Sequence, residues 1–253
     1  MHEFLSTGWG LAIFIAFDVI AAFAVVAIGY RLLFKRLFDI LFSAIALIFT
    51  APAFLWVYVK YRTYKKGGGE VDGFLRVDPA VGKKGETVKM TTFQTKRADG
   101  EVAGEYGKGL EERALRTLPR LIDVFWGRAS FVGVAPVCFE DAAFLDDAQE
   151  GRYAARIGLI SPLKEAQKSG KPEAWLEAEA EYAQGYTLFT DTRVFFGWLL
   201  SKIRAEKAPA TTLSYAKSLQ ERGIITKEEY DSVLESAADE AKEFYATQKP
   251  TRK

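Results

Sequence analysis

The chain carries 253 residues, 49% of them hydrophobic, with 34 Lys and Arg against 33 Asp and Glu for a net charge of +1. So balanced a charge excludes a global basic field for nucleic acid. The single cysteine, Cys138, and the single histidine, His2, exclude a disulfide framework, a Cys/His zinc cluster and a Ser-His-Asp triad. Any metal would have to be a hard cation on carboxylates and phosphates. The length suffices for one soluble domain beside membrane segments.

Trp9 to Gly29 is an apolar run close to the ~20 residues that span a hydrocarbon core. Its N-terminal flank, Met1-His2-Glu3, carries little charge, whereas its C-terminal flank leads into Arg31, Lys35 and Arg36. Basic residues stay cytoplasmic, so residues 9–29 read as a transmembrane helix with its N-terminus outside. A signal peptide would place its positive charge first and small residues at a cleavage site, and this segment fits neither requirement. Asp18 is costly in lipid and is expected at a helix–helix contact or as a protonated carboxyl.

The second apolar run, Leu37 to Val59, has cations on both flanks, with Lys60, Arg62, Lys65 and Lys66 following it. Both ends therefore favour the same face, which a straight spanning helix cannot provide. Pro52 removes a backbone donor and clashes with the preceding turn. A re-entrant helix over 37–59, broken at Ala51-Pro52, satisfies both conditions; a kinked transmembrane helix is the alternative. Lys35, Arg36 and Asp39 are assigned to the membrane face.

Gly67-Gly68-Gly69 makes a flexible joint into the next segment. Phe74-Leu75-Arg76-Val77 and Thr87-Val88-Lys89-Met90 flank a turn at Gly82-Lys83-Lys84-Gly85 and predict a strand pair. Lys96 to Gly109 reads as a loop. From Leu110 the spacing of Leu115, Leu118, Leu121, Ile122 and Phe125 predicts one helix, ended by Gly127. Phe131 to Val134 is a short apolar run, Phe139 to Tyr153 an acidic helix, and Arg156 to Pro162 an irregular turn. Helices are expected over Glu173 to Tyr186 and Phe189 to Ile203, the latter either in the headgroup layer or in the core. Two more, Leu213 to Arg222 and Lys227 to Ala246, are joined at Gly223, with Thr226 and Glu229 as a capping box. This C-terminal hairpin, residues 210–246, is too small to fold alone and needs a partner surface. Around Gly223 to Tyr230 it resembles the short C-terminal oligomerisation hairpins of many bacterial proteins (the SHOCT-like motif).

The order of these parts resembles the bacterial sugar transferase family, the monotopic phosphoglycosyl transferases that begin lipid-linked glycan synthesis. Lys35-Arg36-Leu37-Phe38-Asp39 and the proline-broken helix match its start, with Ala51-Pro52 for the family's usual Ser-Pro. Val81-Gly82-Lys83-Lys84-Gly85 with Val88-Lys89-Met90 is similar to its strand pair. Leu118-Pro119-Arg120-Leu121 to Trp126-Gly127, then Ala129 to Gly133, is similar to its central helix and loop. Thr187 to Ile203, with Asp191, resembles its closing segment. The likeness runs from about Tyr30 to Arg204. It implies a membrane-associated α+β fold: a transmembrane helix, a re-entrant helix, a mainly helical cytoplasmic domain over 67–204 with a short strand pair, and the C-terminal hairpin.

In that family an Asp-Glu pair before the Leu-Pro attacks the sugar nucleotide and helps hold magnesium, and a polyprenyl phosphate accepts the phosphosugar. Those positions are Arg116 and Thr117 here. Arginine stays protonated and is no nucleophile; threonine needs an adjacent base. The family's Pro-Arg-Pro is Val134-Ala135-Pro136, its strand-turn arginine is Ala80, its Lys-Phe-Arg is Thr92-Phe93-Gln94, and its Gly-Ile-Thr-Gly turn is Gly158-Leu159-Ile160-Ser161. Glu111, Glu112 and Asp123, read as solvated charges on the central helix, lie too far along it to substitute. The resemblance thus implies a degenerate homologue with no catalytic residue and no expected cofactor, with Arg116 either a phosphate contact or an exposed helix arginine. It implies location at the bacterial inner membrane with the domain on the cytoplasmic face. An active sugar transferase homologue would be its hetero-oligomeric partner in exopolysaccharide or other lipid-linked glycan synthesis, with polyprenyl phosphate as a lipid ligand. The competing expectations are an active transferase, with Mg2+, and a module that binds a lipid-linked sugar or sugar nucleotide without turnover.

Overall fold

A computed structural model describes residues 8–97, 100–113, 115–162, 172–203 and 215–248. Helix α1, Gly8–Gly29, contains the apolar stretch Leu11–Val25, and a π-helical turn, Tyr30–Phe34, leads from it into α2, Lys35–Lys66. Among the described helices, α2 is the one long and apolar enough to cross a membrane. Asp18 is exposed on α1. The expected break at Ala51-Pro52 does not interrupt the helix: α2 stays helical on both sides of Pro52. One turn earlier, the Thr50 hydroxyl donates to the Ala46 carbonyl at 2.7 Å.

The strand pair forms as expected. Strands β1, Leu75–Val81, and β2, Thr87–Phe93, are antiparallel, with Leu75 opposite Phe93 and Val81 opposite Thr87. The central helix does not form as one piece. Gly104–Glu112, in the expected loop, is helix α3, and a turn over residues 115–119 separates it from α4, Arg120–Trp126. Pro119 accounts for part of the break, because the residue before a proline is driven out of helical geometry. The apolar spacing from Leu115 to Phe125 had suggested continuity, but Leu115 and Leu118 serve the turn and pack beside Leu110 and Phe93. Helix α4 ends at Gly127, φ 86°, as expected.

Two further segments also depart from expectation. Strand β3, Ser130–Val132, pairs in parallel with β4, Gly158–Ile160, inside the expected irregular turn. The acidic stretch makes two short helices, α5 (Phe139–Ala142) and α6 (Asp147–Glu150), followed by a 3-10 turn. Helices α7, Pro172–Gly185, and α8, Leu188–Ile203, follow within a residue or two of the expected bounds. The hairpin is α9, Tyr215–Glu221, and α10, Lys227–Gln248. Its capping box is present: the Thr226 amide donates to the Glu229 carboxylate at 2.8 Å, and the Glu229 amide to Thr226 Oγ1 at 3.2 Å.

The hairpin finds its partner surface within the chain. Tyr215 and Leu219 are buried with Leu176 of α7, and Phe144, Leu145 and Ile225 pack against them. Elsewhere the core joins the long helix to the domain. Phe93 is fully buried, with the rings of Phe54 and Phe74 centred 5.3 and 5.1 Å away. Burying one such ring contributes about 1.5–3 kcal/mol.

Candidate functional site at the Arg116 turn

The turn that carries Arg116 and Thr117 is held by backbone bonds before any side chain acts. The Phe93 amide, at the end of β2, donates to the Arg116 carbonyl at 2.9 Å. The Leu118 amide donates to Leu115 O at 2.9 Å, and the Arg120 amide to Thr117 O at 3.1 Å. Thr117 faces solvent, and the Arg116 guanidinium points to Asp78 on β1, 3.7 Å from Oδ2. Asp78 also accepts from Arg76 Nε at 2.5 Å, from Thr92 Oγ1 at 3.3 Å and from the Tyr245 hydroxyl at 3.5 Å. Alternation along β1 puts Arg76 and Asp78 on one face; the strand expected from the sequence stopped at Val77 and left Asp78 out.

Arg120 opens α4 beside this group, with its Nε buried and no hydrogen-bond partner among the described residues. Burial, and next the charge of Arg116, lower its proton affinity, while Asp78 and Asp123 pull it back up. Around the turn, Arg76 and Arg116 thus share the carboxylate of Asp78, and Arg120 lies within reach of its charge. Magnesium requires several oxygen ligands in octahedral order. A carboxylate already claimed by guanidinium groups does not fit that ion.

The other carboxylates weighed from the sequence lie elsewhere. Asp123 is not a solvated charge: it is fully buried, and it accepts from the Thr91 amide at 2.6 Å, Thr91 Oγ1 at 2.9 Å and Arg128 at 3.1 Å. Burial raises its pKa above the ordinary carboxylate range, and those donors oppose the rise. It staples α4 to β2. Glu111 and Glu112 sit on α3, a different helix from Asp123, and Glu111 accepts from Thr95 Oγ1 at 3.0 Å.

The residues at the other matched positions are bound into structure. Ala80 is buried opposite Val88. Gln94 donates to the Lys96 carbonyl at 2.9 Å. The Ala135 amide donates to Glu179 at 2.5 Å, and its carbonyl accepts from Arg152 at 2.6 Å. Arg152 and Glu179 form an ion pair whose side chains are 1% and 0% exposed. Gly158 to Ile160 is β4, packed so closely that a Cβ on Gly158 would meet Gly133 N at 2.2 Å.

Lys35, Arg36 and Asp39, expected at the membrane face, are bonded into the domain. Lys35 and Asp39 are buried. Asp39 accepts from Ser130 Oγ at 2.8 Å and from the Phe131 amide at 2.8 Å. Lys35 pairs with Asp191 and donates to Val132 O at 2.9 Å. Arg36 caps α4, donating to Val124 O at 2.6 Å and Phe125 O at 2.7 Å. Arg31 does the same for α7 through Gln184 O at 2.9 Å. Helix C-termini leave carbonyls without intrahelical partners and carry partial negative charge, which cations complement. Charge patterning alone had suggested a membrane signal, but these cations also serve as helix caps.

Known proteins match this sequence over most of its length. The bacterial sugar transferase family matches residues 30–204. An exopolysaccharide production protein ExoY of Sinorhizobium fredii (strain NBRC 101917 / NGR234) is 26% identical over 190 residues, 64% of this chain and 82% of that protein. Its counterpart in Rhizobium meliloti (strain 1021) is 25% identical over the same shares. A UDP-glucose:undecaprenyl-phosphate glucose-1-phosphate transferase of Klebsiella pneumoniae is 24% identical over 66% of this chain and 40% of its own length. The matched span starts at Tyr30, beside the Lys35 and Arg36 anchor, and ends after α8: the chain belongs to the bacterial sugar transferase family.

Proposed function

We propose that this chain is a non-catalytic member of its family, which docks at the membrane and holds or regulates an active sugar transferase in exopolysaccharide or related lipid-linked glycan synthesis. The observation that carries the reading is Arg116-Thr117 at the position of the family's carboxylate pair. The guanidinium groups of Arg76 and Arg120 beside it support the reading, since they favour bound anion over bound magnesium. The similarity to proteins of exopolysaccharide production supports the pathway class.

The seating of α2 supports a re-entrant anchor on the cytoplasmic face of the inner membrane. Its first turns bond to α4 and β3 through Arg36 and Asp39, and its later turns pack on the same domain through Phe54, Tyr61 and Tyr64. Between them Ile45, Ile48 and Phe49 are exposed. A helix tethered near both ends to one domain favours entry and exit by one face, with the exposed middle in lipid.

A second reading, an active transferase passing a phosphosugar to polyprenyl phosphate, is favoured by Asp78, a carboxylate next to the Arg116 turn. Its attack would need Arg76 and Arg116 to release it. Reconstituting an active homologue with and without this chain tests the first reading. A rise in the homologue's turnover or membrane-bound amount, retained with Arg116→Ala and with Asp78→Asn, supports it. No effect on the homologue, with turnover by this chain alone, overturns it.

A further inference from the structure

A separate cavity of about 490 Å3 lies between the tip of the β1–β2 hairpin and the end of α4. Lys83, Lys84, Lys89, Arg128 and Arg156 line it, with Glu86 as its one carboxylate. Arg128 is engaged with Asp123 at 3.1 Å, but Lys83, Lys84 and Arg156 form no ion pair with a described residue. Cations that outnumber the one carboxylate of a concavity repel one another, and the repulsion is relieved by a bound anion.

The hairpin tip is built to hold its lysines in place. The Gly82 amide donates to Glu86 O at 2.9 Å, and the Gly85 amide to Gly82 O at 3.1 Å. Lys84 adopts φ 62°, a left-handed conformation that favours glycine, yet carries a long cationic side chain there. Across the cavity Gly127, φ 86°, lets the Arg36 guanidinium approach, since a Cβ there would lie 2.8 Å from Nη2. Trp126, next to it, is 67% exposed, at the end of the domain where α2 begins. The cavity therefore sits beside the head of the apolar helix, where a tryptophan suits the boundary between lipid and water.

We infer that this cavity is a binding site for a phosphate-bearing anion, separate from the Arg116 turn. Ammonium and guanidinium groups bind phosphate oxygens by charge-assisted hydrogen bonds. Both a phospholipid headgroup and a soluble diphosphate present that chemistry, and the place of the cavity beside α2 favours the headgroup.

The full chain in neutral detergent is titrated by calorimetry with inorganic pyrophosphate, with short-chain phosphatidylglycerol and with short-chain phosphatidylcholine. The expected result is saturable binding of pyrophosphate or phosphatidylglycerol and none of phosphatidylcholine. Lys84→Gln with Arg156→Gln weakens it by roughly tenfold or more. Glu86→Gln tightens it, a change that misfolding would not produce. Binding of phosphatidylglycerol without pyrophosphate assigns the lipid source, and binding of pyrophosphate assigns a soluble one. Binding of neither anion, or affinities unchanged in both variants, overturns the site.

Discussion

The ammonium of Lys35, at the first residue of the long apolar helix, pairs in the interior with the carboxylate of Asp191 on α8. Asp191 also accepts from the Tyr30 hydroxyl at 2.6 Å and from the Tyr182 hydroxyl at 2.5 Å. One buried carboxylate thus ties the long apolar helix to α7 and α8. Removing one member of a buried pair strands the other charge, a loss of about 3–5 kcal/mol. Asp191→Ala should therefore lower the denaturation midpoint in detergent far more than Asp239→Ala, whose pair with Lys242 is 75% and 77% exposed. Equal effects would contradict the clamp.

Arg116→Ala should leave folding almost unchanged. Its pair with Asp78 is 3.7 Å long and its side chain is 39% exposed. Such pairs contribute about 0–1 kcal/mol. A midpoint shift as large as that of Asp191→Ala would mean that Arg116 is a structural residue.

The C-terminal hairpin covers its own chain, so its loss should expose a core. Leu219 is 6% exposed against Leu176 and Tyr215. Leu219→Ala should cost about 2–5 kcal/mol and hasten proteolysis of α7 and α9. Unchanged stability with altered oligomeric state would return the hairpin to the intermolecular role expected from the sequence.

Burial pushes the Cys138 thiol above its ordinary range, with the charge of Asp141 and a hydrogen bond to Glu140 adding to the rise. The fold thus holds the thiol proton more tightly than the unfolded chain does. Stability from this group is complete below the ordinary thiol range and is lost as pH climbs from there through the raised value. Since the thiolate is the nucleophile, alkylation of the native chain at pH 8 should be roughly tenfold or more slower than after denaturation. Equal rates would show that the thiol is not shielded.

What was legible in the sequence was local. Gly127 and the Thr226–Glu229 box mark helix ends by their own chemistry, and the Gly82 to Gly85 turn marks the hairpin. What was hidden depends on distant neighbours. The parallel pairing of Ser130 with Gly158 joins strands of three residues each, too short for an alternation to show. Asp123 looks like any helix-surface acid until Thr91 is brought to it by the hairpin. At the site, the family resemblance pointed to Arg116 and Thr117 as the residues to examine. The grip of Arg76 and Tyr245 on Asp78 was not, because Tyr245 arrives from the far end of the chain.

The proposed loss of the reaction is tested most directly by assaying the purified full chain alone, in detergent with polyprenyl phosphate, for release of nucleoside monophosphate from sugar nucleotides. The account predicts no turnover with or without magnesium, and none gained or lost in Asp78→Asn. Turnover by the lone chain, abolished in Asp78→Asn, would contradict it and make Asp78 the nucleophile of an active transferase.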